Sequence, residues 1–188
     1  MTKIVFLDID GVLTGYDKKS IILWNLLDKL HLGKFYHSIY DVFGVRTYKV
    51  FLLKLILVFT RAKVVLSSSW RGGWYLPLEK AGPRMRSLKR KVNWFDVEVV
   101  DITPRISVSR RQDEILSWLS AEEIKGNLIT RYVVIDDEDF DLQVFKGKEL
   151  VKTSLGTPQN GIFTSCGLKI KHVIRAIEIL NRKDDEIC

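Results

Sequence analysis

FLDIDGVL, residues 6–13, decides how the rest of this 188-residue chain is read. The run Lys3–Leu7 (KIVFL) is apolar and β-branched, so it reads as a buried strand. It ends in Asp8-Ile9-Asp10-Gly11-Val12. In an extended chain Asp8 and Asp10 point to one side and Ile9 to the other. Gly11 allows the backbone to turn sharply directly after them. Two carboxylates at the end of an apolar strand repel each other unless a cation lies between them. Hard oxygen ligands of this kind suit Mg2+, which favours few carboxylates, several waters and a substrate phosphate.

Working outward, short strands alternate with longer helical patterns. Ser20–Leu32 has Leu23, Leu26, Leu27 and Leu30 at helical spacing, and Thr47–Phe59 reads as a second, largely buried helix. Lys63–Leu66 (KVVL) is the next strand, ending in Ser67-Ser68-Ser69. Leu76–Lys91 is expected to be helical apart from a break at Gly82-Pro83, and Val97–Asp101 to be a third strand. Ser109 followed by Gln112 matches a capping box and should open a helix through Glu114–Leu119. Arg131–Ile135 (RYVVI) runs into Asp136-Asp137, Glu149–Thr153 is a fifth, edge strand, and Ile170–Leu180 is a closing amphipathic helix. This alternation predicts an α/β, three-layer α/β/α sandwich on a mainly parallel, Rossmann-like sheet, in one domain spanning residues 1–188. Ligands of such sheets sit beyond the carboxyl ends of the strands, where these polar residues cluster.

Composition excludes several classes. A chain with 46% hydrophobic and 28% charged residues is neither disordered nor low-complexity. Cys166 and Cys188 cannot form a disulfide framework, and a reducing, cytoplasmic setting is expected. The first residues enter a strand directly rather than forming a signal peptide, and the longest apolar run, Val50–Phe59, is broken by Lys54 and too short for a membrane span. His31, His37 and His172 lack ligand-like spacing and are assigned surface or packing roles. The net charge of +7 favours acidic or phosphorylated partners, and no protein partner is evident.

The ordered groups resemble the motif set of the haloacid-dehalogenase-like (HAD) phosphohydrolases. Asp8–Val12 matches DxDG[TV], followed by a Ser after the second strand (Ser67), a basic residue at a helix start (Arg111) and the acidic pair Asp136-Asp137. The resemblance spans roughly Lys3 to Leu180. More narrowly, FLDIDGVL, VVLSSSWR, RRQDEILSWL and VVIDDEDFD look like the small HAD domain of RNA-repair and phage polynucleotide phosphatases. The spacer Ser154–Cys166 departs from that pattern by its length.

The resemblance implies a Mg2+-dependent phosphomonoesterase. Asp8 would be the nucleophile, Asp10 the general acid and then base, Ser67 a phosphate-oxygen donor and Arg111 the neutralising cation. Asp8, the Asp10 carbonyl and Asp137 would bind Mg2+, with Asp136 supporting through water. Gly11, Ser68, Trp70, Arg71 and Arg110 are candidate substrate-binding residues, and the one-residue alternatives Ser68, Arg110 and Asp136 stay open for the three later motifs. Glu138, Asp139 and Asp141 are read as ordinary loop carboxylates.

Between the second and third motifs lie Trp70, Arg71, Trp74, Tyr75, Arg84, Arg86, Lys89, Arg90, Lys91 and Trp94. Cations track a phosphate backbone and aromatic rings stack on unpaired bases, so this segment suits RNA or DNA ends; a solvated helix over core aromatics is the alternative. Residues 14–46 leave room for a small helical cap at most, and an open mouth suits a large substrate. The competing readings are a nucleotidase or sugar-phosphate phosphatase, and a non-catalytic phospho-receiver, whose acceptor Asp ordinarily ends a middle strand rather than the first.

Overall fold

The computed structural model describes residues 2–15, 44–106, 110–154 and 166–182. The helix expected at Ser20–Leu32, any cap within 16–43, the Ser109 cap, most of the Ser154–Cys166 spacer and the tail after Arg182 lie outside the described residues.

Five strands form one parallel sheet: β1 (Thr2–Leu7), β2 (Lys63–Leu66), β3 (Val99–Ile102), β4 (Ile129–Asp136) and β5 (Leu150–Lys152), in the order β3-β2-β1-β4-β5. The helices are α1 (Thr47–Thr60), α2 (Pro83–Trp94), α3 (Arg111–Ile124) and α4 (Ile170–Asn181). Side-chain alternation divides the core between the two faces of the sheet. Val5, Leu7, Val64, Leu66, Val133 and Ile135 point into the larger cluster with residues of α1, α2 and α4. Ile4, Phe6, Val65 and Val134 point the other way, against Ile115 and Trp118 of α3 and Leu142 and Phe145. Helices cover both faces, which gives the three-layer α/β/α sandwich and explains why the strands read as nearly continuous apolar runs. Among the described residues no helix is long and apolar enough to cross a membrane.

Three elements differ from expectation. The stretch Leu76–Ala81 forms turns, and helix α2 begins only at Pro83. Pro77 biases Leu76 away from helical backbone, and Pro83 suits the first helical position because its missing N–H is not needed there. At the start of α3 the N-cap position is Arg110, where the Asp113 carboxylate accepts the Arg110 backbone N–H at 3.1 Å. The third strand runs Val99–Ile102 rather than Val97–Asp101.

The chain reverses its direction of travel across the sheet at β1, which pairs with β2 on one side and β4 on the other. The crevice between β1 and β4 is therefore the switch point at which such sheets bind ligands. Because β1 is central, the contrast between a first-strand and a middle-strand acceptor carboxylate disappears in space.

Candidate active site

Register assembles the site. Leu7 pairs with Leu66 on one side and Ile135 on the other, so the next residues, Ser67, Asp8 and Asp136, form one row across the carboxyl edge of the sheet. The Asp8 N–H donates to the Ile135 carbonyl at 3.0 Å, and the Ser67 N–H to the Leu7 carbonyl at 2.9 Å, so the ladder continues one step past the strands. By alternation these three side chains share the face of Phe6, Val65 and Val134, which is the face covered by α3.

Arg111, the first residue of α3, reaches into this row. Its Nη1 donates to Asp8 Oδ1 at 2.7 Å, to Asp136 Oδ2 at 2.8 Å and to the Ser67 carbonyl at 2.7 Å. A cation at a helix N-terminus is opposed by the helix dipole. Two acids in the first turn, Asp113 and Glu114, offset this, and Asp141 accepts the Arg111 backbone N–H at 3.1 Å. Asp141 thus ties the start of α3 to the loop after β4, a role that a reading of it as an ordinary loop carboxylate misses.

Asp137 completes the acidic group. Carboxylate oxygens of Asp8, Asp136 and Asp137 lie within 4.8 Å of one another. Gly11 has φ +63°, and a Cβ there would collide with the Asp137 side chain. The glycine is therefore needed twice, for left-handed backbone and for the close approach of the carboxylate. Asp136 is held at both oxygens, by Arg111 and by the Glu138 backbone N–H at 3.0 Å.

The electrostatics are unbalanced. Three carboxylates face the single positive charge of Arg111. Burial pushes the Asp8 carboxyl above its usual range despite Arg111. Burial, with the charges of Asp8 and Asp137, pushes Asp136 up to about 7. Burial and the charges of Asp8 and Glu138 push Asp137 up to about 6. Arg111 is held firmly protonated by Asp136 and Asp8. An all-oxygen donor set with surplus negative charge fits a divalent hard cation such as Mg2+. The Ser67 hydroxyl is buried and has no hydrogen-bond partner among the described residues, which fits a missing acceptor such as a phosphate oxygen.

The remaining candidates divide. Asp10 lies at the rim, where Oδ2 accepts the Trp70 Nε1–H at 2.8 Å and Oδ1 accepts the Thr14 hydroxyl at 3.4 Å. The Ser68 hydroxyl accepts the Trp70 backbone N–H at 3.4 Å. Arg110 is exposed at the start of α3. Arg71 turns inward: it is 7% exposed and donates to Glu114 Oε1 at 2.6 Å and to the carbonyls of Ser68 and Pro104. Its guanidinium supports the loop from beneath, so the structure does not bring it to the row of Ser67, Asp8 and Asp136. Tyr75 also has a structural partner, donating to Asp101 at 2.8 Å. His172 accepts the Lys169 N–H at Nδ1 and caps α4, and burial pushes its pKa down to about 4.

No curated protein and no solved structure matches the chain. A family model described as the HAD domain in Swiss Army Knife RNA repair proteins matches residues 4–158, from within β1 to beyond β5. HAD membership points to hydrolase chemistry, in keeping with the acidic group at the switch point. With most of its length matched, the chain belongs to the HAD domain family of the Swiss Army Knife RNA repair proteins.

Proposed function

We propose that the protein is a Mg2+-dependent phosphomonoesterase that forms an aspartyl-phosphate on Asp8 and acts on nucleic-acid or nucleotide phosphate ends. The observation that supports this most directly is the charge count: three carboxylates converge on one arginine beside a buried, unpartnered serine hydroxyl. Asp8, Asp137 and the Asp10 carbonyl would hold the ion, with Asp136 supporting them through water. When bound, Mg2+ neutralises the surplus charge and polarises the phosphoryl group.

The protein residues supply the rest. Arg111 and Ser67 hold non-bridging phosphate oxygens and keep the phosphorus over Asp8. An Asp8 oxygen attacks phosphorus, and the bond to the leaving oxygen breaks with its electron pair staying on that oxygen. Asp10 donates its proton there. Water then attacks the phosphorus of the aspartyl-phosphate while Asp10 takes back a proton. The bond from phosphorus to Asp8 breaks, freeing inorganic phosphate and restoring the carboxylate. The family's printed description, RNA repair, supports nucleic-acid ends as the substrate class.

The test is phosphate release from a panel of end-phosphorylated oligonucleotides, free nucleotides and sugar phosphates, with Mg2+. Release from the oligonucleotides, lost in Asp8→Asn, is the expected result. Preference for sugar phosphates would overturn the substrate class. A stable phospho-Asp8 that never turns over would replace the enzyme with a phospho-receiver.

A further inference from the structure

Asp10 lines a groove of 470 Å3 together with Trp70, Gly82, Pro83, Arg84 and Met85. The acid must touch the leaving oxygen, so the leaving group lies in this groove. The groove ends on the first turn of α2. That helix has five Lys and Arg residues and no Asp or Glu among its twelve. The cations are not equivalent. Lys89 sits 5.3 Å over the Trp74 ring and donates to the Leu76 carbonyl, and Lys91 donates to the Val45 carbonyl. Arg86 and Arg90 lie one turn apart on the side away from the buried Met85, Leu88 and Val92, and Trp94 follows one turn later, 76% exposed. Like charges at this spacing destabilise a helix, and no acid within α2 offsets them. Two cations and an exposed aromatic at successive turns, over about 12 Å of helix, match a strand whose phosphates and bases alternate along it.

We propose that Arg86, Arg90 and Trp94 bind the single-stranded polynucleotide on the leaving-group side of the reacting phosphate. This rests on the phosphatase reading and extends it from the reacting phosphate to the strand behind it. The test compares a single-stranded oligonucleotide bearing a terminal phosphate with a mononucleotide, over a range of salt. In Arg86→Glu/Arg90→Glu the ratio of kcat/KM, oligonucleotide over mononucleotide, should fall at least about tenfold, and the salt slope of oligonucleotide binding should weaken by about 1.4, roughly 0.7 per lost contact. Trp94→Ala should lower the same ratio several-fold. An unchanged ratio overturns the proposal. If wild-type protein hydrolyses neither substrate, the phosphatase reading fails instead; anisotropy with the unphosphorylated strand then decides the surface, because wild type should bind and the double variant should not.

A separate observation concerns Trp70. An indole N–H only donates, at 2.8 Å to Asp10 Oδ2, whereas Oδ1 meets the Thr14 hydroxyl at 3.4 Å, a group that can equally turn to accept, so Oδ1 is the oxygen suited to carry the proton. We infer that Trp70 is a positioning residue that turns the protonated oxygen of Asp10 toward the leaving group. Trp70→Phe keeps a ring against the core and removes the N–H. Its kcat should fall about tenfold more on a nucleoside phosphate, whose alkoxide needs the proton, than on an aryl phosphate, whose phenolate does not. Equal losses on both esters would mean that Trp70 serves packing alone.

Discussion

Two arginines meet at the first turn of α3, the buried Arg71 and the half-buried Arg111, and their surroundings differ in charge count. Arg71 meets one carboxylate, Glu114, at 2.6 Å, with the two side chains 8% and 9% exposed. Arg111 meets Asp8 and Asp136 at 2.7 and 2.8 Å, with Asp137 close by. The first pair is balanced in charge, as expected of an internal brace, although the Arg71 Nε–H is buried without an acceptor among the described residues. The second is left with surplus negative charge and an unsatisfied hydroxyl next to it. Buried charge is costly unless compensated, so what separates the two sites is charge balance: the first pair needs no further ion, whereas the cluster of three carboxylates calls for a cation.

The sharpest way to break this comparison is Asp8→Asn. Phosphate release should fall by about 10^4-fold or more, the scale of removing a nucleophile. Because the change removes one of three repelling carboxylates, the melting temperature should not fall. Residual turnover within tenfold of wild type would remove Asp8 from the nucleophile's role.

Next come the arginine partners. Arg111→Met should lower kcat by about 10^2- to 10^3-fold, as for a lost electrostatic donor. Glu114→Gln should act on stability instead, costing about 3–5 kcal/mol by stranding Arg71, with kcat of the folded protein little changed. Denaturant titration beside steady-state kinetics separates the two, and a large kcat loss with intact stability in Glu114→Gln would erase the distinction.

The cluster also predicts how pH and metal interact. Asp136 and Asp137 titrate near 7 and 6 in the folded chain, against an ordinary value of 3.8. Between about pH 4 and 7 the folded state therefore binds more protons than the unfolded state, and this contribution to stability falls as pH rises. On the proposed reading, Mg2+ would supply the missing positive charge. It should raise the melting temperature by several degrees at pH 8 and much less at pH 5. An equal shift at both values would mean that the ion binds elsewhere.

The smallest effect is expected from Asp141→Ala. Loss of the acceptor for the Arg111 N–H should cost about 0.5–2 kcal/mol and loosen the guanidinium, seen as a modest fall in kcat. No change in either would detach Asp141 from the site.

Much of this was legible in the chain. Strand ends and alternation already put Asp8, Ser67 and Asp136 at the carboxyl edge, because one-dimensional patterning encodes which face a residue takes. What stayed hidden was which distant group each side chain meets. Arg71 and Arg111 both follow a serine-rich or basic stretch, and nothing nearby distinguishes them; Glu114 and Asp136 do, and they come from other elements. Arg110 carries no side-chain acceptor and so gives no N-cap signal in sequence; its place shows only where Asp113 takes its backbone N–H. Trp70 reads as a candidate substrate contact, but its bond to Asp10 depends on how the 3-10 turn Ser69–Gly73 is set against β1.

The central place of β1 has a further consequence. Its neighbours in the sheet come from far later in the chain, so during synthesis Asp8 leaves the ribosome long before Arg111 and Asp136 exist. The acidic group that could hold a divalent ion therefore lacks Asp136 and Asp137 until β4 docks. Topology alone would thus withhold the proposed chemistry from partly made protein.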